Sequence, residues 1–194
     1  MKRTLVILAT LMLLLLSGGQ AFAGSIEYQD SAYASGTLGG QPFMDALVTV
    51  IMIGDTNNVF CDGFGLCSNF SSEVFFCVSM LGCGSFTDGA YVQVHHQLQT
   101  VTFLDLLNDH GILGTRNAAF FSYELMGPIG PTTGLGLGTI LAIPTSLGDL
   151  EINSFEFGTS TFSAFSPIPE PGSLSLLATF GLITMGLVRR KMKL

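Results

Sequence analysis

The chain has 194 residues, 48% of them hydrophobic and only 11% charged, with a mean hydropathy of +0.56 and a formal net charge of −7. A length of that order holds one domain of ordinary size, which excludes a multidomain enzyme. Six of the seven basic residues crowd the termini, so the interval from Glu27 to Glu170 sets one cation, Arg116, against fourteen acids, a net of −13, and lacks the basic footprint that nucleic acid requires.

The first feature along the chain is a leader. Lys2 and Arg3 precede the apolar run from Leu5 to Leu16, Ser17-Gly18-Gly19 interrupts it, and Ala21-Phe22-Ala23 sets small residues where a signal peptidase reads them. Residues 1–23 are therefore expected to be a secretory signal, cut between Ala23 and Gly24. Twelve apolar residues at about 1.5 Å each cover about 18 Å, short of a hydrocarbon core of about 30 Å, which argues against a membrane anchor.

Residues 24–168 remain as one body, long enough to bury about two thirds of its unfolded surface. It is rich in Gly, Ser and Thr, has fourteen Phe and no Trp, and reads as short strands joined by tight turns. Strands are expected at Ala46 to Ile53, Val92 to Phe103, Ala119 to Leu125 and Thr139 to Ile143, with one or two more between Leu150 and Ser163. Turn chemistry marks Gly39-Gly40-Gln41-Pro42, Gly54-Asp55-Thr56-Asn57-Asn58 and Gly127-Pro128-Ile129-Gly130-Pro131. Only Thr102 to Asp109 suggests a helix, of two turns at most. So many strands with so little helix predict an all-β ectodomain, an antiparallel β-sandwich of jelly-roll or immunoglobulin-like type.

Cys61, Cys67, Cys77 and Cys83 form a local repeat of period 16, in which Phe60-Cys61 matches Phe76-Cys77 and Cys67-Ser68-Asn69-Phe70 matches Cys83-Gly84-Ser85-Phe86. An even count behind a secretory signal reads as two disulfides. Three connectivities are open, and the repeat favours Cys61 with Cys67 and Cys77 with Cys83. A zinc site is the competing reading, but structural sites space their cysteines two to four apart, and an oxidising compartment competes for the thiols.

Catalytic constellations are sparse. His95 and His96 are adjacent on an expected strand, so their side chains diverge. His110 with Asp105 and Asp109 is the one acid–base grouping in the sequence, and those three letters are the only support for a hydrolase. Gly134-Leu135-Gly136-Leu137-Gly138 lacks the lysine of a phosphate loop, and neither G-x-S-x-G nor H-E-x-x-H occurs. No catalytic residue, resident metal or cofactor is assigned, and the protein is expected not to be an enzyme. The acids Asp30, Asp45, Asp55, Asp62, Asp88, Asp105, Asp109 and Asp149 sit mostly in turns. Calcium is one reading of them; the favoured one is that net charge keeps a Phe-rich domain soluble. Tyr28, Tyr33, Tyr91 and Tyr123 offer rings for a carbohydrate-binding alternative, with an exopolysaccharide as its partner.

At the C-terminus, Pro169-Glu170-Pro171 opens residues 169–194, followed by an uncharged run over about 172–188 and a basic tail at 189–194 that holds Arg189, Arg190 and Lys191. Eighteen residues from Pro171 to Val188 make a helix of about 27 Å, enough to cross a thin bilayer, and the positive cluster fixes its end on the cytoplasmic side. Tripeptide, single span and basic stop together resemble the PEP-CTERM sorting signal of exported proteins of Gram-negative bacteria. The resemblance implies that an exosortase in the inner membrane removes the tail near the motif and that the body passes to the cell surface or extracellular matrix. The expectation is thus a noncatalytic exported surface or matrix protein, with signal peptidase and exosortase as processing partners and a membrane-anchored periplasmic domain as the alternative.

Overall fold

A computed structural model describes residues 24–71, 73–138 and 141–166. The expected leader with its cleavage-site residues Ala21 and Ala23, the Pro169-Glu170-Pro171 motif, the apolar run and the basic cluster Arg189-Arg190-Lys191 lie outside the described residues.

Twelve strands carry the fold: β1 (Ser25–Leu38), β2 (Gln41–Asp55), β3 (Val59–Cys61), β4 (Leu66–Ser71), β5 (Val74–Val78), β6 (Gly82–Ser85), β7 (Ala90–His95), β8 (Thr100–Asp105), β9 (Gly111–Arg116), β10 (Ile129–Leu137), β11 (Leu150–Phe155) and β12 (Ser160–Phe165). Two short 3₁₀ turns, Thr56–Asn58 and Ala118–Ser122, are the only helix among the described residues. All strand pairings are antiparallel, and they link into one curled sheet in the order β3-β4-β7-β8-β9-β10-β12-β1-β2-β5-β6, with β11 added beside β1.

Two long strands organise the curl. In β1 every second residue is buried, including Ile26, Tyr28, Ala32, Ala34 and Leu38, so the strand presents one continuous inner edge to the core. Its whole length pairs with β2, while its other edge is shared, Glu27 to Ser31 with β12 and Ala34 to Leu38 with β11. Strand β10 turns the corner: Ile129 to Gly134 pair with β12, and Leu135 to Leu137 with β9. Its register shifts between Ile129 and Thr132, around Pro131, as expected for a proline held at an irregularity of a ladder. The sheet thereby divides into two arms, β12-β1-β2-β5-β6 with β11, and β9-β8-β7-β4-β3. On the far side the chain steps directly from β4 into β5, tied to β2 by Ile53 N–H on Glu73 O at 3.3 Å and Ser71 Oγ on Ile53 O at 2.7 Å.

The core lies within the curl. Phe162 of β12 sits among Tyr28, Phe103, Phe120 and Tyr123, with ring centroids 6.5, 6.5, 5.6 and 6.1 Å away. Offset and edge-on pairs of this kind add about 0.5–1.5 kcal/mol each beyond burial. Around them pack Val48, Val50 and Met52 of β2, Val74, Phe76 and Val78 of β5, and Val92, Val94 and Val101 of β7 and β8.

Several expectations are corrected. Thr102 to Asp109 is not helical: Thr102 to Asp105 complete β8, where Val101, Phe103 and Asp105 point inward, and the turn that follows is held by Asn108 donating to the Asp105 carboxylate. Two flanking strands offer this segment a full ladder, which outweighs a two-turn helix. Ala119 to Leu125 is not a strand. Asn117 Oδ1 caps Ala119 N–H at 2.9 Å, and the segment enters the 3₁₀ turn Ala118–Ser122 and runs across the sheet. Val92 to Phe103 is two strands with a turn between them, where Gln99 takes φ +58°, so His95 ends β7 and His96 lies in the turn. Leu150 to Ser163 does hold two strands, and Gly39 and Gly40, at φ +56° and +79°, form the expected turn between β1 and β2.

Candidate functional site

The cysteines form Cys61–Cys67 and Cys77–Cys83. In each pair the two residues face one another directly across a hairpin, β3 with β4 and β5 with β6. The two hairpins occupy opposite ends of the strand order, so each disulfide staples one terminal hairpin of the curled sheet. The sequence repeat is mirrored in this setting: the outermost strand is the first of its hairpin in β3 and the second in β6. Cys67, on the inner strand of its hairpin, is accordingly buried, while Cys83, on an outermost strand, is exposed. Matching positions at the hairpin tips, Phe64 and Met80, are 81% and 90% exposed.

Three polar clusters sit within or beside the core. In the first, Asp30 of β1 is fully buried and accepts hydrogen bonds from Thr115 Oγ1 of β9 at 2.9 and 3.0 Å and from Ser160 Oγ of β12 at 3.1 Å. Among the described residues no cation accompanies it, and desolvation pushes its carboxyl up to about 7, against the pull of those hydroxyls. In the second, the Tyr28 hydroxyl donates to Leu125 O and accepts from Asn69 Nδ2 at 2.9 Å, and the same amide donates to Asp55 O at 3.1 Å. Burial raises the Tyr28 phenol to about 12. This cluster pins the segment that follows the Ala118–Ser122 turn, where buried Leu125 adopts φ +61° and His96 Nε2 bonds Tyr123 O at 2.8 Å.

The third cluster contains the residues that a hydrolase would need. The structure brings Asp105, Asp109 and His110 into one turn but gives them other partners. Asp105 Oδ2 accepts from Asn108 N–H at 3.1 Å and Asn108 Nδ2 at 2.8 Å, and Asp109 Oδ1 accepts from the Tyr91 hydroxyl at 2.8 Å. His110 contributes its backbone carbonyl, to Asp105 N–H at 2.9 Å; its ring makes no hydrogen bond to either carboxylate among the described residues. Beside the cluster lies a shallow cleft of about 470 Å³, lined by Phe70, Ser71, Phe86, Thr87, Asp88, Gly89 and Leu106. Among the described residues its lining holds one titratable side chain, Asp88, and so no acid–base pair.

Two of the remaining acids serve local structure. Asp55 Oδ1 accepts from Asn57 N–H, and Asp62 Oδ1 from Phe64 N–H and Leu66 N–H, each closing an Asx-type turn. The Leu66 N–H bond leads the causes that hold the Asp62 carboxyl below its ordinary value. Among the described residues no three His, Cys, Asp or Glu side chains converge on a point. Of the four tyrosines considered as sugar platforms, Tyr28 and Tyr91 are buried and Tyr123 is partly buried, which leaves only Tyr33 exposed, at 44%. The buried grouping of Asp30, Thr115 and Ser160 escaped sequence reading because its members lie 45 to 130 residues apart. The period-2 placement of Asp30 between Tyr28 and Ala32 was its one available signal.

No family model, curated protein or solved structure matches this chain.

Proposed function

We propose that this is a noncatalytic exported protein of the bacterial cell surface or extracellular matrix, brought to the membrane by its leader and released by an exosortase acting near Pro169-Glu170-Pro171. The observation that carries the reading is the pair of disulfides stapling the two terminal hairpins, a construction that belongs to an oxidising, extracytoplasmic compartment. The terminal signals supply the route: a leader at one end, and at the other a tripeptide, an apolar run and a basic stop. The body contributes an acidic unit in which Asp30, Asp55, Asp62, Asp105 and Asp109 bond partners in the core or in turns, which supports a scaffold role. In the finer reading of the architecture, the two arms form a bent β-sandwich joined through β10.

The test is the intact mass and cellular fraction of the protein made in its native host, with and without the processing enzyme. Loss of the residues after the motif, only in the strain that has the enzyme, is the expected result. An intact tail in the inner membrane of both strains would reject processing and leave an anchored periplasmic domain.

A further inference from the structure

The period-16 repeat produces two disulfides that the sheet turns to opposite faces. In β4, Cys67 stands across from buried Val94 of β7, is 1% exposed and belongs to the hydrophobic core. In β5, Val74, Phe76 and Val78 point inward, so alternation turns Phe75 and Cys77 outward, and Cys83, paired with Cys77, turns outward with it. Cys77 is half-buried and Cys83 is exposed. Beside Cys83 lies a shallow hollow of about 400 Å³, lined by Phe75, Cys83, Gly84, Ser85 and Ser146, a volume in the range that small molecules fill.

Exposure alone does not separate the two pairs, because Cys61 is exposed as well. The leaving group does. In thiol exchange a thiolate bonds one sulfur while the other departs as a thiolate, and the departure is faster when that thiol is the stronger acid. Attack on Cys61 expels the Cys67 thiolate into the core, where desolvation disfavours its charge, and Cys67 itself is out of reach. Attack on Cys83 expels Cys77 onto the outer face, across from Thr49 of β2, where water solvates the charge. We infer that Cys77–Cys83 is a thiol-exchange site, at which the body takes up a small external thiol on Cys83, while Cys61–Cys67 is its permanent staple. The incoming sulfur forms a bond to Cys83 Sγ, the Cys77–Cys83 bond breaks, and its electron pair stays on Cys77, which takes a proton from water. The incoming thiol is thereby oxidised to a mixed disulfide and Cys77 is reduced. Strand β6 keeps its place when the bond opens. Its ladder to β5 remains, and Ser146 N–H still donates to Ser85 O at 2.9 Å and Ser85 N–H to Ser146 Oγ at 3.0 Å. The inference rests on the body alone and holds whether or not the tail is cut.

The test takes the protein purified from its native host with both disulfides formed. It would be incubated with reduced glutathione without denaturant, quenched at intervals with N-ethylmaleimide, and mapped by proteolysis and mass spectrometry. The expected result is glutathione on Cys83 and maleimide on Cys77, appearing at least about tenfold faster than any label on Cys61 or Cys67. Equal rates at the two pairs would overturn the inference, and so would glutathione found on Cys77 in place of Cys83. Labelling that begins only once urea unfolds the body would also overturn it, by showing that global unfolding opens the bond. Circular dichroism of the glutathione-bearing protein should keep the strand signal of the parent; its loss would reject a site that works in the folded sheet.

Discussion

A carboxyl enclosed by two hydroxyls and no cation gives Asp30 a distinct signature in pH. Its folded-state value of about 7 lies above its ordinary 3.8, so between those values the native state keeps a proton that the unfolded chain has released. Stability from this group is full below about pH 4, falls as pH rises to about 7, and is flat beyond, a loss on the order of 4 kcal/mol at 1.36 kcal/mol per unit. The variant D30N lacks this titration. Urea denaturation at pH 4.5 and pH 8 should show the difference in stability between D30N and the parent shifting in favour of D30N at the higher pH, and an unchanged difference would reject the assignment. Tyr28 makes the other residue-scale bond of consequence. Substituting Phe leaves Leu125 O without its donor and Asn69 Nδ2 with one partner fewer, at a cost of about 1–3 kcal/mol. Amide exchange around Tyr123 to Leu125 should accelerate in Y28F before exchange in β1 and β2 does.

At the scale of elements, the disulfides are the clearest case of sequence made structure. Leader, even count and period-16 repeat together favoured two local closures, and the hairpins realise them. Each closes a loop between cysteines six positions apart, for which chain entropy gives about 2 kcal/mol. The double variants C61A/C67A and C77A/C83A should each lose about that much, and the quadruple variant about the sum, because the two disulfides lie in separate hairpin ladders, β3 with β4 and β5 with β6. Chemical denaturation of all three checks both claims. Other elements were less legible. Local letters made a helix of Thr102 to Asp109 and a strand of Ala119 to Leu125, because nothing nearby reports that β7 and β9 bracket the first or that the second must cross the sheet to reach Tyr28. Strand β1 was missed for a related reason. Its outward residues, among them Glu27, Gln29 and Ser31, dilute the apolar signal, and its inward positions include Asp30 and two alanines, which pack only because partners far along the chain surround them. Glycine carries similar distant information: a Cβ on Gly36 would come within 1.9 Å of Glu151 O across the β1–β11 ladder. The variant G36A should therefore lose about 3 kcal/mol, as overpacking against backbone does, and a thermal melt within experimental error of the parent would contradict the register assigned there.

For the whole molecule, class was readable and path was not. Many short β-rich runs with Gly-rich breaks specify an antiparallel all-β domain, whereas the order of strands is fixed by pairings between the two ends of the chain, which periodicity does not encode. Glu27 to Ser31 meet Phe165 to Thr161, and Ala34 to Leu38 meet Phe155 to Leu150. A chain ending before Leu150 would leave one edge of β1 bare and would lack Phe162, the residue around which the core aromatics gather. Such a truncation should show no cooperative unfolding transition by circular dichroism, and a sharp transition would contradict the central place given to β1.

Under the export proposed above, that pairing of first strand with last would act as a clock. A chain threaded through a membrane N-terminus first would deliver β1 early and β12 last, so one edge of β1 would wait unpaired until Phe165 had emerged. The domain would then lock only as the last residues before the apolar run arrived. Geometry would thereby order the proposed maturation: an enzyme acting at the tripeptide would meet a body that had already closed, and a stalled, half-delivered chain would stay open to proteolysis.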